Sequence, residues 1–130
     1  SGSLQDLLVN TLAATQDDAP PLDAVASALA AAGVLLQERG DFARRRQAII
    51  SANVELRERE LIKLAALAEA LAETLRNRGV PAAVASLTAE AGIAVFRVAF
   101  ETWVVDPTGR DLPRLITESL DQLKAVTAGN

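Results

Sequence analysis

The chain has 130 residues, half of them hydrophobic yet only 3% aromatic, and carries a formal charge of −4. That length suits one domain, able to bury about two-thirds of its unfolded surface, and the acidic balance argues against binding nucleic acid by itself, which needs a basic face. Cysteine and histidine are both absent, which excludes disulfides, thiolate chemistry and the usual zinc sites.

Ser1-Gly2-Ser3 reads as an expression scar, leaving residues 4–130 as a single domain. The first apolar stretch lacks a basic leader and is interrupted by Gln5, Asp6 and Asn10, so a cytoplasmic protein is expected. Leu4, Leu7, Leu8 and Leu12 then follow helical spacing and predict a first helix ending near Thr15. Gln16 to Pro21 is a polar turn, with Pro21 suited to the first turn of a second helix. That helix carries Leu22, Val25, Leu29, Ala32 and Leu36 inward and stops at Gly40, a C-cap. Asp41 can cap a short third helix, from about Phe42 to Ala52, with Phe42, Ile49 and Ile50 facing inward.

Asn53 is placed to cap a fourth helix reaching about Asn77, whose stripe is Leu61, Leu64, Ala68, Leu71 and Leu75. Gly79 and Pro81 mark the next junction. The fifth helix, Pro81 to Val105, would be about 37 Å long at the usual rise per residue. From Ala91 onward it has no polar face: Ile93, Phe96, Phe100, Trp103 and Val104 cover one side, while Val95, Val98 and Val105 cover much of the rest. Arg97, Glu101 and Thr102 interrupt the run and argue against a membrane span. Burial against the chain's own core on one side and a partner on the other implies an obligate dimer. Asp106-Pro107-Thr108-Gly109 reads as a tight turn. Asp111 caps a sixth helix with Leu112, Leu115, Ile116, Leu120 and Leu123 on its inner face. The fold class is all-α, with six helices.

The search for chemistry returns little. Ser51, Ser86 and Ser119 sit outside any nucleophile-elbow turn, and no glycine-rich phosphate loop exists. Glu69 and Glu73 face outward by stripe phase. The chain therefore reads as non-enzymatic, without metal or cofactor. Arg97 and Glu101 read either as an internal ion pair or as an anchor for an anionic group. Phe96, Phe100 and Trp103 form a ridge that is ordinary core or a cavity wall. Arg44, Arg45 and Arg46 span most of a helical turn, so only one or two could converge on a phosphate; a solvated face with one salt bridge is the plainer reading. Glu55, Arg57, Glu58, Arg59 and Glu60 read as an exposed helix start.

The stretches RRRQAIISANVELRERELIKLAALAEALAETL, Arg44 to Leu75, and GIAVFRVAFETWVVDPTGRDLPRLITESLDQL, Gly92 to Leu123, resemble the C-terminal regulatory domain of TetR-family transcriptional repressors. They look most like the branch of the mycofactocin regulator, associated with acyl-coenzyme A-like ligands. Leu4 to about Asp41 match only in helix order. The resemblance implies effector sensing, and a homodimer built as a four-helix bundle of the last two helices. It also implies operator contact only through an N-terminal helix-turn-helix domain that does not precede Leu4 here. With that implication, stripe phase nominates Leu8, Leu12, Leu29, Leu67, Leu71, Phe96 and Phe100 as pocket lining, with Arg97 as polar anchor. The expected dimer interface is Val95, Val98, Thr102, Val105, Leu112, Leu115, Ile116, Leu120 and Leu123. The rival reading is a helical dimerisation or adaptor module with a filled core and no small-molecule site.

Overall fold

Apolar residues at steps of three and four, rich in alanine and leucine, wind the chain into five α-helices. A computed structural model describes residues 2–129; Ser1, in the expected scar, and Asn130, at the end of the expected domain, lie outside the described residues. The helices are α1 (Gly2–Ala14), α2 (Pro21–Ser51), α3 (Val54–Asn77), α4 (Ala82–Val105) and α5 (Leu112–Thr127), with no strand among the described residues. Gly2 and Ser3 form the first two residues of α1.

Five helices replace the expected six because the second and third run together as α2. Gly40 bends α2 without ending it: its φ of 27° and ψ of −102° leave the helical region, and the residues beyond resume at once. A Cβ there would meet nothing, so the backbone conformation alone favours glycine. The bend also changes which residues point inward. Ala43 and Ile50 are buried, whereas Phe42 and Ile49, expected to face the core, are 67% and 63% exposed. Beyond the kink the limb has only one packed face, and Ala43, Gln47 and Ile50 occupy it.

The Asn53 side chain accepts from Leu56 N–H at 3.1 Å, the expected cap of α3. Leu67, Ala68, Leu71, Ala72 and Leu75 bury the second half of α3. Leu61, expected on the inner stripe, is half-exposed because the start of α3 overhangs the core. At the other end Arg78 reaches back to α1. Its guanidinium donates to the carbonyls of Leu12 at 3.0 Å, Thr15 at 2.7 Å and Gln16 at 2.9 Å, with a longer contact to Ala13. The Leu12 and Gln16 carbonyls also accept from the Thr15 and Ala19 N–H groups at 3.2 and 3.1 Å, so Arg78 adds a second donor there and ties down the end of α1 from outside it.

α4 crosses α2 at close range. A Cβ on Gly92 would lie 2.5 Å from Val25 Cγ1, so that crossing requires glycine. Ala85, Ala89, Ile93, Phe96, Ala99 and Trp103 face the core. By length and composition α4 could span a membrane, but it packs against α2, α3 and α5 as a core helix does. Its other side is apolar and uncovered. Val84, Leu87, Ala91, Ala94, Val98 and Val105 recur at steps of three, four and seven, and Val98 is 51% and Val105 76% exposed.

α5 has a single apolar face, and this protomer uses it. Asp111 caps the helix by accepting from Arg114 N–H at 2.8 Å, and Gln37 of α2 accepts from Leu112 N–H at 2.7 Å. Leu112, Leu115, Ile116 and Leu120 are buried against α2 and α4, and Leu123 is partly buried. Here the structure departs from the expected interface. Val95, Leu112, Leu115, Ile116 and Leu120 belong to the protomer's own core, leaving Val98, Thr102 and Val105 on the surface. Periodicity identifies an apolar face; it does not say which neighbour covers it.

Candidate functional site

The kink in α2 swings its second limb over the overhanging start of α3, and a groove of about 510 Å³ opens between them. The first turn of α1 and the second half of α4 complete its walls. The size falls within the usual range of small-molecule sites. Leu4, Leu36, Ala43, Ile50, Leu64 and Leu67 form an apolar floor, and Phe96 and Phe100 join it from α4. Phe42 and Leu61, exposed on either side of the opening, extend the apolar lining outward.

The rim is charged and predominantly basic. Arg39 and Arg46 come from the two limbs of α2, Arg57 and Lys63 from α3, and Arg97 from α4; the acidic members are Glu60 and Glu101. Five cations against two carboxylates is a local excess of positive charge in a chain whose net charge is −4. Opposing guanidinium and carboxylate groups meet once across the rim. Arg46 Nη1 lies 3.4 Å from Glu60 Oε2, and Nη2 lies 3.5 Å from Oε1, linking α2 to α3 beyond the kink. Arg97 and Glu101 are both exposed at the edge and are not joined by a hydrogen bond or ion pair among the described residues.

An aromatic series leads from the floor into the core. Phe96 and Phe100 stack with centroids 5.9 Å apart, and Phe100 lies 5.6 Å from Trp103. Trp103 is fully buried, and its Nε1 has no hydrogen-bond partner among the described residues. Arg44 stands over the indole face, 4.2 Å from the ring centroid, an arrangement that favours a cation on the electron-rich face. The three arginines of the run therefore diverge: Arg44 covers Trp103, Arg46 lines the groove, and Arg45 is exposed outside its lining.

Of the pocket residues expected from stripe phase, Leu67, Phe96, Arg97 and Phe100 border the groove. Leu8, Leu12, Leu29 and Leu71 do not; they are packed in the core. Leu8 and Leu29 edge a narrow crevice beneath the groove, which has no room for a water molecule. Stripe phase finds inward residues but cannot tell a packed contact from a wall facing open space. Arg39, Arg57, Glu60 and Lys63 escape stripe phase because helical phase marks polar residues as solvated; Arg46 reads more plainly as a solvated residue, and Phe42 reads as core rather than as groove lining. Among the described residues no cluster of three or more acidic, histidine or cysteine side chains could hold a metal ion.

A family model described as the MftR C-terminal domain matches residues 19–128. The search of curated proteins returns no match.

Proposed function

Since the chain belongs to the C-terminal domains of the TetR family, we propose that it is the effector-sensing and dimerisation domain of a TetR-like transcriptional regulator. The effector is a small amphipathic anion of acyl-coenzyme A type. The observation that carries this reading is the groove: an apolar floor suits a hydrocarbon chain, and a basic rim in an otherwise acidic protein suits the phosphates or carboxylate at its head. The apolar tail runs along Leu64, Leu67, Phe96 and Phe100, and the anionic head meets Arg39, Arg46, Arg57 and Arg97. The net charge of −4 leaves operator contact to a helix-turn-helix domain N-terminal to α1 in the regulator as a whole.

The second copy docks along the uncovered stripe of α4, with the exposed side of α5 beside it. Val84, Leu87, Val98 and Val105, 45%, 71%, 51% and 76% exposed, give this side of α4 an uncovered apolar face. The groove also suggests how binding is transmitted. Its walls include the first turn of α1, while the far end of α1 is held by Arg78. A ligand that prefers one position of that first turn shifts α1 by its difference in affinity for the two positions, and no further driving force is needed.

A thermal-shift panel of acyl-coenzyme A thioesters, free fatty acids and coenzyme A tests this, because ligand bound to the folded state stabilises by mass action. A rise in Tm with thioesters, smaller with coenzyme A alone, is the expected result. No shift with any of them would favour the adaptor reading.

A further inference from the structure

Glu60 stands out once the groove is read as a site for an anion. It is the acidic side chain that holds a groove cation, and it does so loosely. A guanidinium and a carboxylate in good geometry meet at about 2.7–2.9 Å, whereas the two Arg46–Glu60 contacts are 3.4 and 3.5 Å. Both groups have water access, with side-chain exposures of 46% and 26%, so the pair can part without stranding a buried charge. Its partner is also the residue best placed to grip a ligand: Arg46 projects into the groove from the limb beyond the kink.

We propose that Glu60 is a tethered substitute for the effector's anionic group, occupying Arg46 while the groove is empty and yielding it when an anion arrives. Glu60 thereby sets a threshold. An incoming carboxylate or phosphate must out-compete a carboxylate already in place, which a neutral amphiphile cannot do and does not need to do. The role makes Glu60 a specificity-determining residue, and it rests on the reading of the groove given above.

The test compares laurate at pH 8 with dodecan-1-ol, which share a tail and differ in head charge, titrated into the wild-type chain, Glu60→Gln, Arg46→Gln and the double variant. Glu60→Gln is expected to tighten laurate about two- to fivefold, the range spanned by an exposed ion pair, and to leave dodecanol unchanged. Arg46→Gln is expected to weaken laurate alone, and Glu60→Gln made in that background should give no further gain. Equal or weaker laurate binding by Glu60→Gln would overturn the proposal, as would an equal gain for both probes or a gain that survives loss of Arg46. Failure of the wild type to bind either probe would instead remove the ligand site itself, a distinct outcome.

Discussion

Replacing Arg78 by methionine removes the guanidinium while keeping an unbranched apolar stem, and so isolates the clamp on the end of α1. The side chain is mostly buried, and its guanidinium contacts four carbonyl oxygens. The Ala13 and Gln16 contacts lie in exposed surroundings, so those acceptors regain water at little cost. The Leu12 and Thr15 contacts are partly buried, at 3.0 and 2.7 Å, and losing each should cost about 1 kcal/mol. The Arg78–Asp17 approach, at 3.9 Å to a fully exposed carboxylate, adds nothing measurable. The sum is about 2 kcal/mol, which for a domain of this size lowers Tm by about 6–10 °C. The assay is thermal unfolding followed by circular dichroism at one fixed protein concentration, since a dimer of the proposed kind would make Tm concentration-dependent. Asp17→Ala serves as the control and should leave Tm in place. A fall of less than about 2 °C for Arg78→Met would rule out the clamp, because the carbonyls would then be as well served by water as by Arg78.

Val98→Glu places a charge in the middle of the uncovered α4 stripe and should convert a dimer to a monomer in sedimentation velocity with its helical signal intact; an unchanged dimer would move the interface elsewhere. Asp106 contributes to acid stability. The Thr108 hydroxyl, 2.7 Å from Asp106 Oδ1, and the Thr108 N–H hold its carboxyl down to about 2, with Arg110 helping against the opposing effect of burial. A folded-state value below the unfolded one of about 3.9 stabilises fully above that pH and is lost as pH falls toward 2. Asp106→Asn should therefore lower Tm at pH 6 and flatten its decline between about pH 4 and 2. Parallel Tm–pH curves for the two proteins would show that the carboxylate is not the group responsible.

Periodicity exposed most of the architecture. The caps at Asn53 and Asp111 and the stops near Gly79 and Asp106 follow from local chemistry that needs no tertiary partner. Gly40 was legible as an interruption, but whether a glycine ends a helix or bends it depends on what the following limb packs against. The inner face of α5 was legible as apolar and misassigned to a partner, because α2 and α4 of the same protomer cover it. Arg78 and Arg44 could not have been read at all. One reaches α1 across more than sixty positions of chain, and the other finds Trp103 on a different helix. The groove shares this difficulty: four of its residues follow from stripe phase, while its basic rim exists only because the kink brings α2 and α3 side by side.

On the proposed function, this groove receives an acyl-type anion. Isothermal titration of palmitoyl-coenzyme A into the wild-type chain and into Leu64→Trp, which places a bulky ring on the groove floor, addresses it most directly. One site per chain is expected in the wild type. In the variant, affinity should fall at least about tenfold, more than 1.4 kcal/mol, with helical content unchanged. Equal affinity in both proteins would place the ligand elsewhere, and no binding to the wild type would rule out an acyl-coenzyme A effector of this kind.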